Sequence, residues 1–470
     1  MNMKRLSRRD FLRLGGMAAG AAALAACVPA TQAPTPAPTA APAATTAPTA
    51  QPVVATSQPQ GPVTLKVMYA RADFSADQQA QFEATHPNIK VDFIEDDTTR
   101  LVAMFAAGNP PDIMKMNGVI LPRFLVSKLV MDLEPLIAGS KVIKKDDLAP
   151  SHVLLQYDGK VTGKGDLYGI AKDWSPEFSV FINTDAFAKA GIPVPADDQP
   201  LAYTDLQDMA RKLTVKQGDR TTQWGFGSEA MSWGWTQVLM ESLAQAGQSL
   251  YSPDFKKMVL AENPEAVKIV KYWFDIAKED LSPNPLDPTS TYEGDEFTKG
   301  KLAMVQYGYW FSAAAESDVT KGKVKFLPAP TWAGSAHRDP CAAATCTSIS
   351  SQTKNAEAAW EWLEWFHAGD PAIARAKSGW GVPALQSLYN LMPSQTPFQQ
   401  QVQKVLTAEL KVAGFPLQYN PYYDAQGTNS DAWKTNLEQG LRGTVSFDDM
   451  IKNIEQANND AIAAGVSIVS

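Results

Sequence analysis

The residues best suited to chemistry in this chain are aromatic, and they stand at glycine- or proline-bearing junctions instead of inside helices. They are Trp233-Gly234-Trp235, Tyr307-Gly308-Tyr309-Trp310, Trp332, Gly379-Trp380-Gly381, and Tyr419, Tyr422 and Tyr423 around Pro421. A ring at a turn can face a cleft, where its apolar face packs against the C–H face of a sugar. Nearby Asp, Asn, Gln and Arg side chains then bond the hydroxyls. Trp273, Trp360, Trp362 and Trp365 fall within helical runs and are expected to pack in the core.

Residues for catalysis are harder to find. The sequence has no G-x-S-x-G, no H-E-x-x-H and no Walker loop. His86, His152, His337 and His367 lie far apart and never pair at metal-ligand spacing, so neither a metal nor a cofactor is expected. Gly163-Lys164-Gly165 reads as a hairpin turn, and the acidic runs Glu95-Asp96-Asp97 and Glu293, Asp295, Glu296 as solvated turns. A glycosidase pair meets in space and not along the chain, so a surface glycoside hydrolase stays open, though nothing local favours it. Cys341 and Cys346 close a short loop; outside the cytoplasm they can form a disulfide, and two buried thiols are the alternative.

These residues need a scaffold, and the periodicity supplies one. Strands are predicted at 63–70, 88–95 and 112–117, with helices at 75–85 and 98–107 between them. Further strands are expected at 166–174, 178–183, 301–307, 323–327 and 347–350. Helices are expected at 184–190, at 205–213 behind a capping box Thr204–Gln207, at 264–279 behind Asn263-Pro264, at 355–367, from Asp370-Pro371, and after Ser446–Asp449. Alternating strands and helices imply an α/β fold of two lobes, each a mostly parallel sheet flanked by helices. Ligands of such sheets sit beyond the carboxyl ends of the strands, here near Arg71 and Asp73 and near Asn117.

The amino terminus addresses the protein. Arg8-Arg9 precede an apolar run at 14–26, which is too short to span a bilayer, and Leu24-Ala25-Ala26-Cys27 closes it like a lipobox. Residues 1–26 thus read as a twin-arginine-type lipoprotein signal peptide and Cys27 as the lipidated residue, which anchors the chain to the outer face of the cytoplasmic membrane or to the cell envelope. Residues 27–61 form an Ala/Pro/Thr-rich linker, without a charge from 28 to 60, that reaches about 100 Å if fully extended. The formal net charge of −8 becomes more negative once the basic leader is removed, which argues against a nucleic-acid partner.

The body resembles an extracellular solute-binding protein of the maltose-binding-like, carbohydrate-importing ABC type. The resemblance rests on His86-Pro87-Asn88-Ile89, Ala107-Gly108-Asn109-Pro110-Pro111-Asp112-Ile113, Leu167-Tyr168-Gly169-Ile170, Phe181-Ile182-Asn183-Thr184-Asp185, Phe297-Thr298-Lys299-Gly300-Lys301-Leu302-Ala303-Met304 running into Gly308-Tyr309-Trp310, Lys354-Asn355-Ala356-Glu357-Ala358-Ala359-Trp360, and Gly381-Val382-Pro383. It implies a receptor that does no chemistry, a monomer whose partners are a carbohydrate ligand, the permease subunits and the membrane through its lipid. It also implies lobe one at 62–173 and 338–378 and lobe two at 178–332 and 380–470, closing on ligand. By position, Asn117, Asp173, Trp174, Tyr309, Trp310, Trp380 and Tyr422 would line the cleft; Arg71, Asp73, Trp233 and Trp235 join them from placement. Tyr309 stands where the family usually has proline. A polyol phosphate, polyamine or peptide ligand in the same fold, and a non-transport surface lectin, remain alternatives.

Overall fold

The computed structural model describes residues 61–228, 241–289, 292–341, 345–414, 419–423 and 430–469; the signal, Cys27, the linker, Trp233 and Trp235 lie outside the described residues. In chain order the main elements are β1 (Val63–Tyr69), α1 (Ala76–Thr85), β2 (Ile89–Glu95), α2 (Thr98–Ala106), β3 (Ile113–Asn117), β4 (Ile170–Trp174), β5 (Val180–Asn183), α3 (Thr184–Ala190), α4 (Tyr203–Leu213), β6 (Gly227–Ser228), α5 (Pro264–Lys278), α6 (Glu293–Thr298), β7 (Met304–Gln306), β8 (Val324–Leu327), β9 (Thr345–Ile349), α7 (Ala356–Ala368), α8 (Asp370–Ser378), β10 (Val382–Pro383), α9 (Pro397–Glu409), α10 (Ser430–Leu441) and α11 (Phe447–Val469). Local chemistry sets several starts. Ser75 and Gln78 form a capping box on α1, Asn263 caps α5 ahead of Pro264, and the Ser446 hydroxyl accepts from the Asp449 amide at α11.

Two sheets organise the body. The first has the order β10-β4-β9-β3-β1-β2, with β1 parallel to β2 and β3, and with β9 antiparallel to both β3 and β4. The carboxyl ends of β1, β3 and β4 therefore share one edge. The second sheet, β6-β7-β5-β8, differs from the expected mostly parallel arrangement. Only β6 and β7 pair in parallel, and β5 is antiparallel to both of its neighbours. Both sheets are mixed: β9 and β10 run against β4 in the first, and β5 runs against its neighbours in the second.

The chain crosses between sheets at 175–179, again after β8, and again between β10 and α9. Strand β10 lies in the first sheet, so the last crossing follows it. Edge strand β8 is covered by α9, whose Gln401 side chain accepts from the Phe326 amide at 3.0 Å and donates to its carbonyl at 2.7 Å.

Aromatic packing fixes both lobes. Under the first sheet, Trp362 and Phe366 of α7 meet Phe74 at 5.2 and 5.9 Å and Tyr69 at 5.7 and 5.2 Å between ring centroids. In the second, Tyr203 stacks on Trp332 at 3.9 Å, and Trp273 is buried against Phe226. Trp273, Trp360 and Trp362 are core residues as expected.

Two local expectations change. Helix α4 starts one residue before the proposed Thr204 cap, because Tyr203 is drawn into the stack on Trp332, and no side chain caps it. The strand expected at 166–174 divides: Asp166–Leu167 pairs with Gln156–Tyr157 in a hairpin, and β4 begins after Gly169, where a side chain would press on Ser348 and Cys346. The hairpin turn expected at Gly163-Lys164-Gly165 is formed, with Gly163 and Gly165 at positive φ.

Gly225 shows how tightly α4 lies on the second sheet, since an added Cβ would stand 2.1 Å from the Ala210 carbonyl oxygen. Gly225→Ala should therefore destabilise the protein by about 1–3 kcal/mol, the usual cost of overpacking. Urea unfolding should give a lower midpoint with an unchanged m-value.

Candidate functional site

Strand β4 reads Ile-Ala-Lys-Asp-Trp, which places a lysine in the interior of a sheet. Its pairing with β9 jumps from Ala171↔Cys346 to Asp173↔Thr345, so Lys172 is the extra residue of a β-bulge. Two histidines brace the backbone just before it. The Ala171 N–H donates to His152 Nε2 at 3.1 Å, and the Ala171 carbonyl accepts from His367 Nδ1 at 3.1 Å.

The tautomers follow from their other bonds. His152 donates from Nδ1 to the Ala149 carbonyl at 2.9 Å, leaving Nε2 to accept. His367 Nε2 accepts from the Thr347 hydroxyl at 2.7 Å, and Thr347 accepts from Tyr69 at 3.1 Å. Burial keeps both rings neutral, lowering His152 to about 4 and His367 well below the ordinary range.

The bulge sends the Lys172 side chain, only 4% exposed, to Asp73 Oδ1 at 2.5 Å and Asp173 Oδ2 at 3.2 Å. Lys115 of β3 reaches Asp73 Oδ2 at 3.1 Å and Asp96 Oδ2 at 3.5 Å. The result is one alternating row, Asp96–Lys115–Asp73–Lys172–Asp173, along the carboxyl ends of the first sheet. Burial would raise the Asp73 carboxyl, but the two lysines overcome it and hold it below the usual range. Burial raises Asp96, which has Lys115 alone against it. Desolvation would lower Lys115, yet Asp73 and Asp96 keep it raised.

Beside this row lies a small cavity lined in part by Lys172, Asp173, Arg375, Trp380 and Gly381. Arg375 stacks on Phe366 at 4.4 Å and donates to the Phe366 carbonyl at 2.7 Å. Gly381 has φ of 86°, and a Cβ there would meet Asp173 Cβ at 2.8 Å, so glycine lets this turn close on the acid. The turn presents Trp380, 41% exposed, to Trp310 at 5.5 Å between centroids. Trp310 is half-buried against Tyr307, and its Nε1 donates to Glu177 Oε2 at 3.0 Å. Polar donors and acceptors in alternation beside an open aromatic face can hold a neutral polyhydroxyl solute. Among the described residues no group of three or more His, Cys, Asp and Glu could hold a metal ion.

The structure brings Asp73, Asp173, Trp310 and Trp380 together from the predicted set. Arg71 stands apart, its guanidinium 3.3 Å from the Phe93 ring centroid and bonded to Gln79. Asn117 accepts from the Val119 and Ile120 amides and so builds the turn after β3. Trp174 is buried, and Tyr309 is 1% exposed with its hydroxyl accepting from Gln403 at 3.3 Å. Tyr422 is half-buried against the second core.

Cys341 and Cys346, expected as a disulfide, are both free and buried. Cys346 lies within β9, while Cys341 ends a two-stranded ribbon with its amide on the Gly414 carbonyl. The acids expected in a solvated turn at 293–296 instead include buried Glu293, which accepts from the Tyr307 hydroxyl, and buried Glu296, paired with Lys299 and Lys301. Sequence reading missed Lys115, Lys172, Asp96, Glu177 and Arg375. The available signal was a lysine inside each of two short, mostly apolar strands.

A two-lobed body with charged strand ends facing an aromatic turn defines a binding protein of the cleft type. The family model for bacterial extracellular solute-binding proteins matches residues 67–367, and the chain belongs to that family. Its function is accordingly solute binding outside the cytoplasm, and it is not an enzyme. No helix among the described residues is long and apolar enough to cross a membrane.

Solved structures share the fold. An ABC substrate-binding protein from Listeria monocytogenes in complex with cycloalternan is 20% identical, with a TM-score of 0.70 over 85% of this chain and 98% of that one. A solute-binding protein from Thermotoga lettingae bound with α-D-tagatose is 20% identical, with a TM-score of 0.66 over 85% and 99%. The maltose-bound MalE3 of T. maritima is 19% identical, with a TM-score of 0.65 over 84% and 98%. No curated protein sequence matches the chain.

Two tests follow from the bulge. Lys172→Met leaves Asp73 and Asp173 without their shared cation and should cost about 2–3 kcal/mol, below the full value for a buried pair because Asp73 is partly exposed. Denaturant titration reads this directly. His152 is neutral in the folded state, with its value near 4 against about 6.5 unfolded. Its stability contribution is therefore complete above about pH 6.5 and lost as pH falls toward 4, by about 3 kcal/mol at the limit. His152→Gln should flatten the acid limb of the stability curve over that interval.

Proposed function

We propose that this protein is a lipid-anchored receptor that captures a sugar or oligosaccharide between its lobes and hands it to an ABC permease. The observation that carries the reading is the row Asp96–Lys115–Asp73–Lys172–Asp173 beside the exposed face of Trp380. Hydroxyl groups both donate and accept, so an alternating row suits them better than a single-sign patch, and a flat ring suits the C–H face of a pyranose. The related folds described above hold cycloalternan, tagatose and maltose, which supports the same ligand class here.

In this reading lobe one comprises 62–173 and 338–378 together with β10, and lobe two 178–332 and most of 380–470. Ligand contacts made by both lobes favour the closed form, and the permease recognises that form. Asp73, Asp173, Trp310 and Trp380 carry the binding; Trp233 and Trp235 join them by sequence position. Export through the twin-arginine leader and lipid on Cys27 keep the receptor, as a monomer, beside its permease.

A thermal-shift screen against mono- and oligosaccharides should give a concentration-dependent rise in Tm with at least one of them. For the sugar that responds, Trp380→Ala should weaken affinity by tenfold or more with little change in the melting of the free protein, as an exposed stacking residue would. Trp310→Ala should weaken it as well. A variant that melts far lower and binds unchanged would assign that ring to packing. Cys27→Ser should release the protein from the membrane fraction, and unaltered fractionation would remove the lipid anchor from the proposal.

A further inference from the structure

The end of helix α8 ties Arg375 to Trp380. The Ser378 hydroxyl donates to the Arg375 carbonyl at 2.7 Å and accepts from the Trp380 amide at 3.2 Å. Gly379, at φ of 78°, ends the helix between the two. The guanidinium is fixed from its other side, since it lies over the Phe366 ring and its Nη2 donates to the Phe366 carbonyl. Its Nε and Nη1 remain, both buried and neither bonded to any described residue. Asp173 Oδ2 is in a similar condition: it is buried, 3.2 Å from the Lys172 ammonium, and accepts no hydrogen bond from a described residue.

Arg375, Asp173 and Trp380 line one small cavity, which has room for a single water-sized group. Buried donors and acceptors are costly to leave unpaired, so the walls define what belongs between them. An ammonium group would meet the charges of Arg375 and Lys172, and a carboxylate or phosphate would meet that of Asp173. An acetamido group is too large, and an ether oxygen gives Asp173 nothing to accept. A hydroxyl answers both walls with one atom, accepting from an arginine N–H and donating to the carboxylate. His367 also lines the cavity, but both of its ring nitrogens are already engaged, with Ala171 and Thr347.

We infer that this cavity seats one hydroxyl group of a sugar ring stacked on Trp380, and that Arg375 is the ligand-binding residue that selects it. The inference rests on the reading of the protein as a sugar receptor and narrows its ligand. The sugar is uncharged at this position and carries a free hydroxyl there, so its deoxy, amino, carboxylated and O-substituted counterparts are rejected. The Ser378 bridge sets the arginine against the ring, so that stacking and hydroxyl recognition act on the same sugar unit. A site built to bond a hydroxyl rejects the analogue without it far more strongly than an apolar pocket rejects a change of size.

Calorimetric titration tests this with glucose, mannose, galactose, tagatose and maltose, each beside its monodeoxy and amino derivatives. For a sugar that binds, removal of one particular hydroxyl should weaken affinity about 100-fold or more, and an amine at that position should do the same. In Arg375→Met the parent sugar should fall to near the affinity of that deoxy derivative, and the difference between them should vanish. Equal losses at every position, or one position-specific loss that persists undiminished in Arg375→Met, would overturn the assignment. Crystals of the sugar-free wild-type protein give a second reading that needs no variant. They should show one water bonded to both Arg375 and Asp173, and a cavity without it would overturn the assignment as well. The two readings fail in different ways. If the water is in place and no sugar binds, the receptor reading falls and this one with it; if a sugar binds with no hydroxyl coupled to Arg375, this one falls alone.

Discussion

The site depends on a lysine that a bulge holds among carboxylates in the interior of a sheet. Lys172 is the unpaired residue of a bulge, and its ammonium group sits between Asp73 and Asp173 with almost no contact with solvent. A buried charge of this kind persists only when its partners are fixed, because the attraction it gains is offset by the water it loses. The structure fixes them. Asp73 follows β1, Asp173 follows in β4 itself, and neutral histidines hold Ala171 by its N–H and its carbonyl. Remove the brace and Lys172 can fall back into register, which would turn the row of charges away from the aromatic turn.

Beneath that row the aromatic layer of Tyr69, Phe74, Trp362 and Phe366 excludes water, which sharpens every electrostatic interaction above it. The layer also joins the polar and apolar halves of the site. Tyr69 contributes its ring to the layer and its hydroxyl to the bond sequence through Thr347 to His367. Arg375 lies on Phe366 and lines the same small cavity as Asp173. Packing and recognition therefore share residues here, and a change made for one is felt by the other.

Much of the scaffold could be read from periodicity and caps. The β-α-β-α-β opening, the helix behind Asn263-Pro264 and the Ser446 cap all correspond to the structure, because each depends on neighbours in sequence. What could not be read depends on partners far along the chain. The direction of the strands in the second sheet is set by which crossing delivers them. The split at Gly169 is set by Ser348 and Cys346, and the start of α4 by Trp332. The site divides in the same way. Asp73, Asp173, Trp310 and Trp380 are visible as unusual residues at strand ends and turns, whereas Asn117 and Trp174 occupy comparable places and serve the turn and the core. Lys115 and Lys172 were overlooked although a charge within an apolar strand is itself a sign of a distant counter-charge.

Strand β9 lies between β3 and β4, yet it is made of residues that follow both by well over a hundred positions. Until the chain has been completed beyond Ile349, β3 and β4 present open edges to each other with no strand to join them. The first lobe is thus interrupted by the second and cannot finish assembling ahead of it. Pairings of such long sequence separation form slowly, and unpaired edges invite association with other chains while they wait. A polypeptide built in this order completes the middle of its first sheet only when one five-residue strand, supplied late in the chain, enters between two strands laid down long before it.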